Sequence, residues 1–271
     1  MPASITEKRA AFRALHQSGC FTLPNPWDAG SAKYLQSLGF KALASTSAGF
    51  AWAIGKADNQ VTRDDVLTHL TELCRATDLP VNADFEGGFA REPEGVAQSV
   101  SLAVGTGVAG LSIEDRSGEA TEPLYEESLA VDRIAAARGA IDAIDASVML
   151  VARCEGFLVG RADLDLVVKR MVAFAEAGAD CLYAPGLATP EQITTLVKAV
   201  APKPVNVLLG FGSLGVNDLA ALGVRRVSVG GALARAAWGG FARAAQELAT
   251  EGTLTLPEGS IGGREINALM G

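Results

Sequence analysis

Apolar residues along this chain fall into short dense runs, each followed by a longer segment in which they recur every third or fourth position. The dense runs read as strands buried on both faces, and the periodic segments as helices with one apolar stripe. Candidate strands lie at 20–23, 41–46, 80–84, 108–114, 147–153, 180–184, 204–208 and 226–229. Between them the helix signals are local. Thr62 precedes Asp65 by three residues as a capping-box variant, Val61 and Val66 can staple that start, and Leu70, Leu73 and Cys74 continue the apolar face. Pro93 suits a first helical turn, and Gly105 suits a left-handed cap at the other end. Val167, Met171 and Phe174 form one stripe that stops near Gly178.

Eight strand–helix units in series predict an α/β fold, a (β/α)8 TIM barrel with right-handed crossovers. A doubly wound open sheet is the alternative, weakened because no GxGxxG follows the first strand. The expected organisation is a barrel over 1–249 and a C-terminal helical arm over 250–271, where Gly252, Pro257, Gly259, Gly262 and Gly263 break the rhythm. Ile266, Leu269 and Met270 offer too small an apolar face for a free helix, so the arm should dock on its own barrel or a neighbour's, unless it is a frayed end.

Composition narrows the function classes. A net charge of −8 without a basic run leaves no footprint for nucleic acid. No apolar stretch reaches the ~20 residues of a membrane helix, and the N-terminus lacks a signal-peptide core, so a cytoplasmic protein is expected. Cys20, Cys74, Cys154 and Cys181 form no CxxC and read as free thiols. With only His16 and His69, a histidine-rich zinc centre is not expected, and His69 reads as a structural or surface residue within a helix.

The chemistry is carried by four carboxylates, Asp58, Asp84, Glu86 and Glu114, three of them where apolar runs end. Acids at such a place need a partner, solvent or a cation. Asp84 and Glu86, two residues apart, would face one side of an extended strand and suit a hard ion such as Mg²⁺; the alternative is pairing with nearby Arg or Lys. Further strand-end positions are Asn25 to Asp28, Thr46 to Gly49, Arg153 to Glu155, Tyr183 and Asn206. Gly210, Gly212, Gly230 and Gly231 could cradle a phosphate or could simply serve turns.

Several segments together resemble the isocitrate lyase and phosphoenolpyruvate mutase superfamily: Asn25-Pro-Trp-Asp-Ala-Gly-Ser31, Thr46-Ser-Ala-Gly-Phe-Ala51, Val81-Asn-Ala-Asp-Phe-Glu-Gly-Gly88, Ser112-Ile-Glu-Asp115, Val151-Ala-Arg153 and Val227-Ser-Val-Gly-Gly231. The resemblance spans nearly the whole chain. It implies a Mg²⁺ (or Mn²⁺) site at Asp84, Glu86 and Glu114, held mostly through water with Asp58 nearby. It also implies catalytic roles for Arg153, Asp58 and Glu114. Substrate contacts are expected from Trp27, Ser47, Ala48, Gly49, Asp84, Arg153 and Asn206, toward a small 2-oxo carboxylate. The implied reaction is carbon–carbon cleavage or decarboxylation through a metal-stabilised enolate, and the implied assembly a homodimer or homotetramer. A mutase or hydrolase acting on phosphoenolpyruvate or phosphonopyruvate, and a non-catalytic 2-oxo-acid binder, are the alternatives.

Two departures from the family pattern matter. Glu86 stands where the motif usually has a second Asp. The loop Arg116 to Tyr125 lacks the cysteine that the lyase branch uses for proton transfer. Cys154 is offset by one residue from Arg153 and should point away from the lumen, as a small buried filler, with a surrogate acid as its other possible role. Glu119 and Glu122 read as solvated loop acids, and the loop itself as a lid.

Overall fold

The structure, a computed structural model, describes residues 2–256 and 259–271. Its strands are β1 (Phe21–Leu23), β2 (Leu43–Ala44), β3 (Val81–Asp84), β4 (Gly110–Glu114), β5 (Met149–Arg153), β6 (Cys181–Tyr183), β7 (Val205–Leu208) and β8 (Arg226–Ser228). All neighbours pair in parallel, in the order β1-β8-β7-β6-β5-β4-β3-β2. The Ala44 N–H donates to the Pro24 carbonyl at 3.1 Å across the remaining seam, so the sheet curls into a nearly closed (β/α)8 barrel. Every expected strand is present, trimmed by one or two residues at an end, and at both ends for β2 and β6, where the chain turns out of the ladder.

The helices are α1 (Ile5–Leu15), α2 (Ala29–Ser37), α3 (Ser47–Ala53), α4 (Arg63–Ala76), α5 (Pro93–Gly105), α6 (Glu127–Asp145), α7 (Leu164–Glu176), α8 (Pro190–Val200), α9 (Val216–Ala221), α10 (Ala232–Glu251) and α11 (Gly263–Met270). The Thr62–Asp65 box forms as expected, each residue's side chain accepting from the other's backbone N–H. Gly105 is not the left-handed cap: it is the last helical residue of α5, and Gly107 takes the positive φ of 96° two positions later.

Strand alternation sorts the side chains. Leu111, Ile113, Leu150, Ala152, Cys154 and Leu182 join the main apolar core, so Cys154 is indeed a buried filler turned away from the lumen. The intervening positions face inward. At the N-terminal end, Phe12 of α1 plugs the barrel with Leu23, Ala44 and Met149. Gly110 is required there, since a Cβ would lie 2.8 Å from the Phe12 ring and 2.9 Å from Asn82 Oδ1. The inward face becomes polar above that plug, through Asn82, Ser112, Asn206, Arg226 and Ser228, all buried.

α10 runs unbroken through the expected 249/250 boundary, and α11 lies against α2 of the same chain, with Lys33 Nζ bonded to the Met270 carbonyl at 2.5 Å. No helix among the described residues is long and apolar enough to cross a membrane.

Candidate active site

Arg153, the last residue of β5, organises the C-terminal mouth of the barrel. In register it lies beside Glu114 of β4 and Tyr183 of β6. Its guanidinium meets Glu155 at 2.5 Å and Asp84 and Glu114 at 3.3 Å each, and sits 5.4 Å from the centre of the Tyr183 ring. Burial works against this charge, but Glu155, Glu114 and Asp84 outweigh it and hold the guanidinium firmly protonated. Glu155, offset by two residues on the same face, is the partner to which sequence reasoning assigned no role.

The acids are costly where they stand. Burial, reinforced by Asp84 and Asp58, pushes Glu86 up to about 8. Burial likewise raises Glu114, with Arg153 opposing and Glu155, Asp84 and Glu86 adding to the shift. Glu86 occupies a left-handed backbone conformation (φ 47°), and its Oε1 is buried with no hydrogen-bond partner. Such an orphaned carboxylate oxygen beside two further acids fits a divalent cation. The donor set is all oxygen, and the described residues contain no group of three side chains placed to ligate an ion directly. One or two direct carboxylates with water completing the shell is the arrangement these residues can support.

Two connected cavities open here. The deep lobe, ≈ 540 Å³, is bordered by Ser47, Ala48, Asp58, Asp84, Arg153, Tyr183 and Arg226, among others. The outer lobe, ≈ 420 Å³, shares Ser47, Asp58 and Arg153 and is walled by Arg116, Gly118, Glu119 and Pro123. That wall is a small hairpin closed by an Arg116–Leu124 bridge, and it contains no thiol. Cys154 is raised far above the neutral range by burial, so it offers no thiolate in its place.

The structure sets apart several residues expected to touch substrate. Trp27 faces a separate apolar cavity with Ala237, Trp238 and Phe241. Gly49 is buried under Thr46, Trp27 and Ala234, and its N–H donates to Thr46 Oγ1 at 3.3 Å. Asn206 lies beneath the cavity, fully buried, donating to Ser228 Oγ at 3.0 Å and accepting from Arg226 Nε at 2.9 Å. Glu86 sits behind Asp84 and borders neither lobe. Ser47 and Ala48 remain at the wall; the Ser47 N–H donates to Asp84 Oδ2 at 3.0 Å. Of the glycines at the β7 and β8 ends, Gly210, Gly230 and Gly231 border the deep lobe, and Asn25 Oδ1 accepts the N–H groups of Val229 and Gly230 at 2.9 and 2.8 Å. Asn25 thereby ties the end of β8 to Ser45, whose carbonyl accepts from its amide.

Comparison with known proteins agrees with this geometry. A crystal structure of a provisionally named lyase/mutase from Burkholderia cenocepacia J2315 superposes with a TM-score of 0.94 at 49% identity, covering 97% of this chain and 96% of that one. The 2-methylisocitrate lyase of Escherichia coli K12 is 32% identical over 71% of this chain and 65% of its own length. An oxaloacetate decarboxylase of Pseudomonas aeruginosa LESB58 is 30% identical over 83% of this chain and 79% of its own. The phosphoenolpyruvate phosphomutase profile matches residues 12–249. With that match spanning the barrel from its plug to α10, the chain belongs to the phosphoenolpyruvate phosphomutase family, within the isocitrate lyase/phosphoenolpyruvate mutase superfamily of enzymes.

Proposed function

We propose that this enzyme is a divalent-cation-dependent carbon–carbon lyase or decarboxylase acting on a small 2-oxo or 2-hydroxy di- or tricarboxylate, with Mg²⁺ as the natural ion and Mn²⁺ as a substitute. The observation that carries the reading is the orphaned, buried Glu86 behind Asp84 and Glu114, the two acids that border the cavity lobes together with Arg153. Asp84, Glu86 and Glu114 would hold the ion, with Asp58 at the rim. When bound, the ion supplies positive charge where an enolate oxygen develops.

The chain's own groups do the rest. Ser47 offers its hydroxyl, and Ala48 its N–H, to a carboxylate at the cavity wall. Arg153 stays tethered by Glu155 and keeps its remaining donors toward the cavity. Tyr183, pushed up to about 12 mainly by burial, remains a neutral phenol under Arg153.

Decarboxylation is favoured over cleavage that needs a dedicated acid, because no thiol lines either lobe. For an oxaloacetate-like acid, the bond between the methylene carbon and its carboxylate breaks and its electron pair enters the enolate. Carbon dioxide leaves, and a solvent proton completes the methyl group. The test is a panel of oxaloacetate, 2-methylisocitrate, isocitrate and phosphonopyruvate, with EDTA and with restored Mg²⁺ or Mn²⁺. We expect turnover of a 2-oxo or 2-hydroxy polycarboxylate that EDTA abolishes. Full activity in metal-free enzyme would remove the cation, and turnover of phosphonopyruvate alone would move the enzyme to the mutase or hydrolase branch.

A further inference from the structure

Arg226 is the anomaly of the deep lobe. It is the first residue of β8, in register with Phe21 of β1 and Asn206 of β7, and only 2% exposed. The residue nevertheless borders the cavity. Its hydrogen bonds run to two neutral amides, Asn206 Oδ1 at 2.9 Å and Asn82 Oδ1 at 3.3 Å. It forms no ion pair among those of the described residues, and the groups that favour its charge are only the Cys181 thiol and the Tyr183 phenol.

Comparison with the other buried arginines sharpens the point. Arg9 has Asp145, Arg170 has Asp115, and Arg153 has three carboxylates. Arg133 has no carboxylate, but it is bonded to the carbonyls of Gly87, Ala90 and Arg91, lies over the Tyr125 ring and borders neither lobe. Arg226 alone among these combines a cavity wall with an unmatched charge. An isolated charge in such a place is costly until an anion joins it.

We propose that Arg226 receives the distal anionic group of the substrate, a carboxylate, so that the cavity reads both ends of a dicarboxylic acid. This rests on the reading above, in which the other end meets Asp84 and Glu114 through the cation. The surroundings suit the assignment. Ser45 and Ser228 border the same lobe and carry hydroxyls that can add to the contact, whereas the Ser112 hydroxyl is already donated to the Ala83 carbonyl. The Asn82 amide that steadies Arg226 is two residues below Asp84 on β3, a rise of about 6.6 Å, which matches the scale of a short diacid. Arg153 is less suited to this role, because Glu155 already neutralises it at 2.5 Å.

The test measures binding in the presence of Mg²⁺. Oxalate presents only the chelating end; malate adds a distal carboxylate; 2-hydroxybutyrate replaces that carboxylate with a methyl group. Wild type should bind malate at least about ten-fold tighter than 2-hydroxybutyrate. Arg226→Gln should weaken malate by about 10- to 100-fold and leave oxalate within about two-fold, while Arg226→Lys retains part of the malate affinity. A purely structural arginine would weaken oxalate and malate equally, and that result overturns the assignment. So does a wild type that fails to distinguish malate from 2-hydroxybutyrate, a measurement that needs no variant to fold. Failure of wild type to bind oxalate overturns instead the 2-oxo-acid reading beneath it.

Discussion

Arg153 stands among three carboxylates, so removing it acts on catalysis and stability together. Arg153→Ala should lower kcat/KM by about 10- to 150-fold, the equivalent of 1.5–3 kcal/mol of charge-assisted contact. A residue at the open mouth of a barrel would ordinarily affect folding little. Its burial changes that expectation: Asp84, Glu114 and Glu155 would be left without their counter-charge, at a cost of about 3 kcal/mol or more. The loss should be larger at pH 8 than at pH 5.5, since Glu114, already raised by burial, can take up a proton at the lower pH and relieve the repulsion. Urea unfolding at the two pH values checks this, and a variant as stable as wild type at pH 8 would refute it. Asp84 and Glu114 were legible because they interrupt apolar runs where strands end. Arg226 was not, because Arg225 and Arg226 read together as an ordinary charged pair. Only the pairing with Phe21 and Asn206 shows which one enters the barrel; Arg225 instead bonds the Gly19 carbonyl. Asn206 misled because its ladder neighbours Tyr183 and Arg226 border the cavity while its own amide is spent on Ser228 and Arg226.

The strands were readable as elements because a parallel barrel buries both faces, which leaves dense apolar runs that turns punctuate cleanly. The loop after β3 was not readable. Glu86, Gly88 and Phe89 all take positive φ, and only Gly88 announces it by type. What holds this loop is remote in sequence: Arg133 of α6 reaches the carbonyls of Gly87, Ala90 and Arg91. Arg133→Lys keeps the charge but loses the fork that spans three acceptors. It should lower the unfolding free energy by about 2–4 kcal/mol, roughly one per lost bond plus the penalty of a poorly matched buried cation. Because the same loop carries Glu86, Mg²⁺ binding measured by calorimetry should weaken several-fold. Unchanged Mg²⁺ affinity in a destabilised variant would show that Glu86 is positioned without Arg133.

At the scale of the whole molecule, α10 presents Trp238, Phe241 and Leu248 at 46%, 62% and 55% exposure, next to the apolar cavity that contains Trp27. So wide an apolar face suits a covered surface, in keeping with a homodimer or homotetramer. Trp238→Glu with Phe241→Glu should shift the solution mass to monomer while leaving helix content intact; an unchanged mass would place the contact elsewhere. The tail was legible as a docking helix but not as to its host, since the three apolar positions Ile266, Leu269 and Met270 do not say whose α2 they meet. The two histidines give the molecule a separate acid sensitivity. Burial, helped by the charge of Arg226, lowers His16 to about 3, and burial lowers His69, stacked 3.9 Å from Phe50, to about 4. Both native values lie below the ~6.5 of an unfolded histidine, so as pH falls below that point the unfolded chain gains protons the native state refuses, and stability drops. Each should contribute a loss of about 2 kcal/mol between pH 7 and pH 5. Glu86 and Glu114 act in the opposite sense, since their raised native values favour the folded state as pH falls from about 8 toward 4.5. A difference measurement removes that opposition. His69→Phe keeps the stack on Phe50 and replaces a ring whose Nε2 has no partner. The unfolding free energy of this variant relative to wild type should therefore rise by about 2 kcal/mol on going from pH 7 to pH 5. A pH-independent difference would mean that His69 titrates alike in the folded and unfolded states, contrary to its burial against Phe50.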